Sequence, residues 1–180
     1  METKVIKLKN GTKVNLNISS QDDVYRIKAV VGWNSVGSCD FNIVLKYVLD
    51  ASAFGSDELP PLAKKLSKEG LKVSPSRLSG YKMENGKIKL GGMYLSYCET
   101  IVELNKIQVS DEQYGHIGLG HAMLKECENI AKQHKASRIE ANYYPFGALK
   151  LSTRDFYERN GFTWDKNHIS KDLTYKAPKK

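Results

Sequence analysis

The sequence predicts a mixed α/β (α+β) fold, in which helices flank a central sheet that is mostly antiparallel. Two Asn-Gly pairs, Asn10-Gly11 and Asn85-Gly86, separate short runs rich in apolar residues, as in β-hairpins. Residues 101–138 pass from an apolar strand through a glycine-rich loop into a helix and on to another strand. Hairpins indicate antiparallel pairing, and the strand–helix–strand unit indicates one parallel pair joined by a right-handed crossover.

The composition is that of an ordinary globular protein. Of 180 residues, 27% are charged and 41% are hydrophobic, so we expect one domain across residues 1–180. There is no apolar run of membrane-spanning length and no signal-peptide core, and we expect a cytoplasmic protein. The four histidines show no ligand spacing, so no metal is expected. The cysteines are widely spaced in apolar contexts and are predicted to be reduced core residues: Cys39, Cys98 and Cys127.

The N-terminal segment is predicted to consist of strands. Residues 4–18 alternate around Asn10-Gly11, which predicts the first hairpin. Residues 25–31 form a further strand, which Gly32 ends. These patterns leave open how the strands of residues 1–35 join the sheet.

Two helices are predicted next. The first begins at Ser38 or Asp40, since apolar residues then recur at helical spacing at Phe41, Val44, Leu45, Val48 and Leu49. The second is shorter, begins after Asp57 and is ended by Gly70.

The remaining elements alternate between strands and helices. They are a loop at 74–80, a hairpin around Asn85-Gly86, strands at 93–97 and 101–109, a helix from Leu119, a strand at 138–144, a helix at 148–159, and one or two strands within 162–175. The helix from Leu119 has one apolar face, made of Leu119, Met123, Cys127, Ile130 and Ala131.

The loop before that helix contains Gly115, Gly118 and Gly120. Glycine lets a ligand approach the backbone closely, and the unpaired N–H groups of a helix start attract phosphate. The spacing G-x-x-G-x-G is not the dinucleotide pattern G-x-G-x-x-G, and no Gly-Lys-Ser/Thr P-loop is present. A tight turn with close helix packing explains three glycines equally well.

Two stretches resemble the signatures of the GNAT superfamily of acyl-CoA N-acyltransferases. Residues 109–124 resemble a strand followed by Q/R-x-x-G-x-G/A at a helix start, and FYERNGF at 156–162 resembles F-Y-x-x-x-G-F. The resemblance implies a GNAT-like fold with an acyl-CoA-binding core at residues 100–165. Two departures stand out: Gly115 occupies the Gln/Arg position, and the loop is one residue longer than usual.

The resemblance further implies that acetyl-CoA is the acyl donor. Its pyrophosphate would be held by N–H groups of the loop, at Gly115, His116, Ile117, Gly118, Leu119 and Gly120. Its pantetheine arm would pair, like an added strand, with the chain at Ile107, Gln108 and Val109. The Val109 N–H would polarise the thioester carbonyl.

The same resemblance implies the catalytic residues. Glu103 would be the base that deprotonates an amine, directly or through water, and Tyr157 would protonate the departing thiolate. Asn142, Tyr143 and Tyr144 would line the acceptor cleft. Structural alternatives are a surface ion pair for Glu103, a core aromatic for Tyr157 and simple packing for the other three.

The predicted function is therefore an N-acetyltransferase that acts on a primary amine of a protein, an RNA-linked group or a small molecule. The alternative is a non-catalytic GNAT-like module that binds acyl-CoA, nucleic acid or a protein partner. Residues 64–89 carry +6 of the net charge of +8, which indicates either a solvated face or a surface for an anionic partner such as RNA. Its cations are Lys64, Lys65, Lys68, Lys72, Arg77, Lys82, Lys87 and Lys89. A homodimer is compatible with the resemblance.

Overall fold

The computed structural model describes residues 1–50, 59–142 and 150–173, with the side chains of 150–152 excepted. Its strands are β1 (Glu2–Lys7), β2 (Lys13–Gln21), β3 (Val24–Val31), β4 (Asn34–Leu49), β5 (Leu71–Val73), β6 (Lys82–Glu84), β7 (Lys87–Leu90), β8 (Met93–Val109), β9 (Arg138–Asn142), β10 (Thr163–Asp165) and β11 (His168–Asp172). Its α-helices are α1 (Pro61–Glu69), α2 (Leu119–Gln133) and α3 (Lys150–Arg159).

The eleven strands of these described residues form one mixed sheet. The order is β1-β2-β3-β4-β8-β9-β11-β10, with β5 beside β4 and the β6–β7 hairpin beside β8. Only the β8–β9 pair is parallel in this part of the chain, joined through α2 as predicted. The mostly antiparallel sheet with flanking helices confirms the predicted fold class.

The N-terminal strands form an antiparallel meander that leads to the centre of the sheet. The hairpin at Asn10-Gly11 is confirmed, because β1 pairs with β2 from Lys7↔Lys13 outward. In β2, the buried Val14, Leu16 and Ile18 alternate with more exposed neighbours. Residues 1–35, whose placement was open, thus extend the sheet on the β4 side.

The predicted helix after Ser38 or Asp40 is wrong, because this segment is the long strand β4. Cys39, Phe41 and Ile43 are buried against α2, whereas the far end of β4 packs against α1 through Tyr47. A strand that is buried on both faces loses its two-residue period. Successive side chains of β4 point to opposite faces, so apolar residues on both faces together imitate helical spacing: Phe41, Leu45 and Leu49 on one face, Val44 and Val48 on the other.

The strands predicted at 93–97 and 101–109 are one 17-residue strand, β8. Two irregularities interrupt its pairing with β4 and leave Cys98 and Asn105 as the extra residues of β-bulges. Cys98 is therefore exposed, which corrects the prediction of a core cysteine, whereas Cys39 and Cys127 are buried as predicted.

The hairpin at Asn85-Gly86 and the helix predicted from Leu119 are confirmed as β6–β7 and α2. The helix predicted at 148–159 is α3, described from Lys150 to Arg159. In α2 the whole predicted apolar face is buried: Leu119, Met123, Cys127, Ile130 and Ala131. This face packs against β3, β4, β8 and β9. Gly70 ends α1 at a φ of +70°. Asp57, the predicted start of the α1 region, lies outside the described residues.

A smaller core lies under α1 and the β6–β7 hairpin and includes Leu66, Val73, Ile88 and Leu95. The predicted loop at 74–80 contains a 3₁₀ turn, Pro75–Gly80. Within the described part of the chain, no helix is both long enough and apolar enough to cross a membrane.

Candidate functional site

The site is organised by an opening between β8 and β9. These strands pair only at Ile101↔Arg138, Val102↔Ile139 and Glu103↔Glu140. Beyond Glu103, β8 continues to Val109 with β4 along one side. Among the described residues, no strand pairs with its other side there, so residues 104–109 offer a free strand edge.

The pairing with β4 determines which backbone groups face that edge. The N–H of Ser110 donates to the Val36 carbonyl at 2.9 Å, so Ser110 faces β4. Because successive residues of a strand point their N–H and C=O groups to opposite sides, Ile107 and Val109 face the open edge. Gln108 faces β4, in agreement with the position of its carbonyl, 2.9 Å from where a Cβ on Gly37 would lie.

The glycine loop runs from the end of β8 to α2. Gly115 has a helical φ of −62°, and its N–H donates to the Glu112 carbonyl at 3.0 Å. Gly118 is the N-cap of α2 with a φ of +98°, a conformation that favours glycine. Among the described residues, no acceptor contacts the N–H groups of residues 116–121. These groups and the helix dipole give the start of α2 a positive electrostatic potential.

Gly120 brings this loop into contact with the two other parts of the site. A Cβ at Gly120 would lie 3.1 Å from the Phe156 ring and 3.8 Å from Val109 Cγ2. In addition, His121 Nδ1 and Asn160 Oδ1 form a hydrogen bond at 2.6 Å. Glycine is therefore used here for close packing, which places the start of α2 between the strand edge and α3.

The FYERNGF segment ends α3 with a Schellman motif. The Phe162 N–H donates to the Tyr157 carbonyl at 3.1 Å, and the Gly161 N–H donates to that of Glu158 at 3.0 Å. Gly161 has the left-handed φ of +79° that the motif requires. The ring of Phe162 lies 5.2 Å from that of Tyr157, the hydrophobic contact that accompanies such a cap. The motif thus has a structural basis of its own.

Tyr157 lies in the core formed with α2 and is 7% exposed. Its ring makes edge contacts with Phe156, Phe162 and Trp164, at centroid distances of 5.2, 5.2 and 6.4 Å. Tyr157 is therefore a core aromatic, as one of the two alternatives expected, and lies on α3 close to the start of α2.

Glu103 faces the opposite side of the sheet from α2, because its neighbours Val102 and Leu104 both belong to the α2 core. Its side chain is 33% exposed and forms an ion pair with Lys72 at 2.8 Å, as the ion-pair alternative expected. A pocket of about 290 Å³ opens beside it. Asn142 lines this pocket, whereas Tyr143 and Tyr144 lie outside the described residues.

Three further titratable side chains of this pocket were missed as site residues by the sequence analysis: Lys72, Glu140 and His168. Glu140 is buried, and its carboxylate forms ion pairs with Lys72 Nζ at 2.8 Å and Arg138 Nε at 2.6 Å. His168 Nε2 lies 3.9 Å from the same carboxylate. The alternation of β9 contained the signal, since Arg138, Glu140 and Asn142 share the face opposite the buried Ile139 and Ala141.

The charges of this cluster stabilise one another. Burial raises the pKa of Glu140, but the hydrogen bond from Lys72 and the charges of Lys72, Arg138 and His168 outweigh it, so the pKa is lowered. Burial lowers the pKa of Lys72, but its hydrogen bonds to Glu103 and Glu140 outweigh burial and raise it. The pocket therefore holds a primary ammonium between two carboxylates.

A larger groove of about 590 Å³ lies on the same face of the sheet. Asn42 lines it and is the β4 partner of Glu103, so the groove adjoins the pocket. The 3₁₀ turn Pro75–Gly80 borders the groove and is attached to the β2–β3 turn, since the Ser76 N–H donates to Asp23 at 2.6 Å.

The basic segment 64–89 is largely neutralised by ion pairs. Five of its eight cations contact a carboxylate: Lys65, Lys72, Lys82, Lys87 and Lys89. Among the described residues, Lys64, Lys68 and Arg77 contact none. No three His, Cys, Asp or Glu side chains of the described chain gather closely enough to hold a metal ion.

Comparison with known proteins finds similarity in structure alone. No protein-family model matches the sequence, and no curated protein matches it. The GNAT domain of S. lividans PAT superposes with a TM-score of 0.54 over 95% of this chain and 97% of that chain, at 11% identity. PaiA N-acetyltransferase from Thermoplasma acidophilum, in complex with coenzyme A, gives a TM-score of 0.45 at 15% identity over 84% of this chain.

A putative acetyltransferase of the GNAT family from Desulfovibrio desulfuricans gives a TM-score of 0.44 at 15% identity over 82% of this chain. This chain spans 62% of the Thermoplasma protein and 66% of the Desulfovibrio protein. At these identities the comparison concerns the fold. The superposition on the S. lividans domain extends over nearly the whole of both chains, and the chain therefore has the GNAT acyltransferase fold.

Proposed function

We propose that this protein is an N-acetyltransferase that transfers an acetyl group from acetyl-CoA to a primary amine. The observation that carries the proposal is the edge of β8 at Ile107 and Val109, which is unpaired among the described residues and ends beside a helix start whose N–H groups contact no acceptor in that part of the chain. A strand edge suits the amides of pantetheine, and the helix start suits a pyrophosphate.

The geometry refines which residues would contact coenzyme A. Ile107 and Val109 would pair with the pantetheine amides, whereas Gln108 would flank them because its backbone faces β4. The pyrophosphate would lie against the N–H groups of residues 116–121. The Gly115 N–H would not donate to the pyrophosphate, since it already donates to the Glu112 carbonyl.

The distance along β8 favours Ile107 over Val109 as the donor to the thioester carbonyl. At about 3.3 Å per residue, Val109 lies about 20 Å from Glu103 along the strand and Ile107 about 13 Å. The amine must reach both the base and the carbonyl carbon, so the nearer N–H is the better placed. Even there, Glu103 would act through a water molecule.

The reaction would use both faces of the sheet at the opening. Glu103 would take a proton from the acceptor ammonium, and the freed amine pair would attack the thioester carbonyl carbon. The Ile107 N–H would stabilise the oxyanion, whose collapse breaks the carbon–sulfur bond. Tyr157, on the α2 side, would protonate the departing thiolate, and the second proton that the nitrogen loses as the amide forms would return through water to the tyrosine oxygen.

The acceptor is expected to carry a primary ammonium, because Lys72 shows that the pocket stabilises one beside Glu103. An incoming amine would displace Lys72 and take its place between the carboxylates. The adjoining groove gives room for an extended carrier such as a peptide or an RNA-linked group. Arg77 lines this groove and would contact a phosphate of such a carrier.

The test is transfer of labelled acetyl from acetyl-CoA to lysate components, with the product typed by protease and by ribonuclease. Tyr157→Phe should slow transfer tenfold or more and leave CoA affinity unchanged. Tyr97→Phe is the matched control, because Tyr97 is 51% exposed. Tight CoA binding without transfer to any component would favour the non-catalytic module instead.

A further inference from the structure

The β1–β2 hairpin contacts the glycine loop. The Lys9 N–H donates to the Ile117 carbonyl at 3.3 Å, and Lys9 Cε lies 3.9 Å from where a Cβ on Gly118 would lie. The hairpin turn is well ordered by its own bonds, with the Leu8 N–H donating to the Thr12 carbonyl at 2.9 Å. Leu8 itself is buried in the main core. Lys9 is therefore presented to the loop by an anchored turn.

The ammonium of Lys9 adds a positive charge near the start of α2, where the helix dipole is already positive. Its Nζ is one bond beyond Cε, so rotation of this exposed side chain brings the ammonium within reach of the N–H groups of residues 116–121 and the positive end of the α2 dipole. Among the described residues, no carboxylate forms an ion pair with Lys9, in contrast to Lys4, which contacts Glu126 at 2.8 Å. An arrangement of this kind is stabilised when an anion binds.

The loop also lacks a side chain that its resemblance to the acyltransferase motif leads one to expect. Gly115 stands where that motif has Gln or Arg, and the Gly115 N–H is already bonded. We propose that Lys9, from the β1–β2 hairpin, supplies this missing contact and binds the pyrophosphate of coenzyme A. This inference rests on the proposed function, and it makes the N-terminal meander part of the cofactor site.

Lys9 would contact the pyrophosphate and not the 3′-phosphate of the nucleotide. The pyrophosphate is the anion that the N–H groups at the start of α2 would hold, and Lys9 Cε lies next to Gly118, the N-cap of that helix. Ligands that lack the 3′-phosphate, or the pyrophosphate together with the rest of the nucleotide, can therefore separate the two contacts.

The experiment is calorimetric titration of wild type, Lys9→Met and Lys13→Met with CoA, dephospho-CoA and pantetheine. Lys13 is an exposed cation of the same hairpin, the first residue of β2, and serves as the matched control. Lys9→Met should weaken CoA and dephospho-CoA about three- to tenfold at low salt and leave pantetheine unchanged. Lys9→Arg should restore most of the affinity, and Lys13→Met should bind all three like wild type.

Equal CoA affinity of wild type and Lys9→Met at low salt would overturn the inference while leaving the proposed function intact. A loss for CoA that disappears with dephospho-CoA would overturn the assignment to the pyrophosphate. If wild type itself bound no CoA, the proposed function would fail and this inference with it. Melting temperatures of the variants within a degree of wild type show that each is folded.

Discussion

At the scale of single residues, the site depends on charges that are matched in pairs. Lys72 contacts Glu103 and Glu140, and Arg138 contacts Glu140 and Glu99. Glu140 is the most buried of these groups, with a side chain that is 7% exposed. A carboxylate in that position is stable only when its partners are charged.

Glu140 should make stability depend on pH in the acid range. Its pKa in the folded protein is lowered from 4.5, so it contributes stability that is fully present above pH 4.5 and lost as pH falls through the folded value. Thermal unfolding between pH 7 and pH 3 should show this loss. Glu140→Gln should cost about 2 kcal/mol at pH 7 and reduce the acid dependence.

Glu2→Gln is the control for that experiment, since Glu2 is exposed at the start of β1. It should leave both the stability and its pH dependence as in wild type. An acid dependence of Glu140→Gln equal to that of wild type would show that the cluster is not its source.

Sequence reasoning at this scale identified residues that lie near a motif and missed those that come from elsewhere. Glu103 was a candidate through the family resemblance, since it lies on the strand that leads into the glycine loop. Lys72 and His168 were missed because β5 and β11 reach the pocket only through tertiary pairing. Charged residues far apart in the chain give no pattern that a sequence alone displays.

At the scale of elements, the ends of the helices follow local rules closely. α2 ends like α3, with the Ala136 N–H donating to the Ala131 carbonyl at 2.9 Å and the Lys135 N–H to that of Lys132 at 3.0 Å. Lys135 has a φ of +56° at the position that glycine usually takes. A side chain in this conformation costs about 1 kcal/mol.

Lys135→Gly should therefore raise the free energy of unfolding by about 0.5–1 kcal/mol. Lys132→Gly, one turn earlier within α2, should lower it by about 1 kcal/mol because glycine is unfavourable inside a helix. Urea unfolding of both variants measures the contrast. Destabilisation by Lys135→Gly would show that the lysine side chain itself supports this cap.

Gly37 permits the close approach of β4, β8 and α2 next to the free edge. A Cβ there would lie 2.9 Å from the Gln108 carbonyl and 3.1 Å from Met123 Cε. Gly37→Ala should cost about 1–3 kcal/mol, since the nearest atom belongs to the backbone. Gly80→Ala, with nothing within 4 Å, should change stability by less than about 0.5 kcal/mol.

Chemical denaturation of the two alanine variants checks this difference. Equal stabilities would mean that β4 moves away from β8 without cost. In that case the backbone around Val109 would be displaced more easily than its pairing with Gly37 indicates.

The contrast between α2 and β4 shows what an element's sequence can predict. α2 buries one face only, so its helical period survives in the sequence. β4 is paired on both edges and buried on both faces, so its two-residue period does not. Strand pairing overrides local spacing when both edges are occupied.

At the scale of the whole molecule, the proposed function depends on the point at which β8 and β9 separate. β8 leaves β9 after Glu103, which opens an edge towards α2 on one face and a charged pocket on the other. The motifs of residues 100–165 predicted this unit from the sequence. The β1–β2 hairpin was predicted, but its place in the sheet and its position beside the loop could not be, because they depend on pairing between distant segments.

The measurement that tests the central claim most directly is an amide titration of ¹⁵N-labelled protein with coenzyme A by NMR. We expect saturable shifts at the backbone amides of residues 116–121, Ile107 and Val109, which face the proposed ligand. Gln108 and Gly115 should shift less, because their N–H groups face β4 and Glu112. Saturable shifts confined to other parts of the sheet, or none at millimolar ligand, would contradict the account.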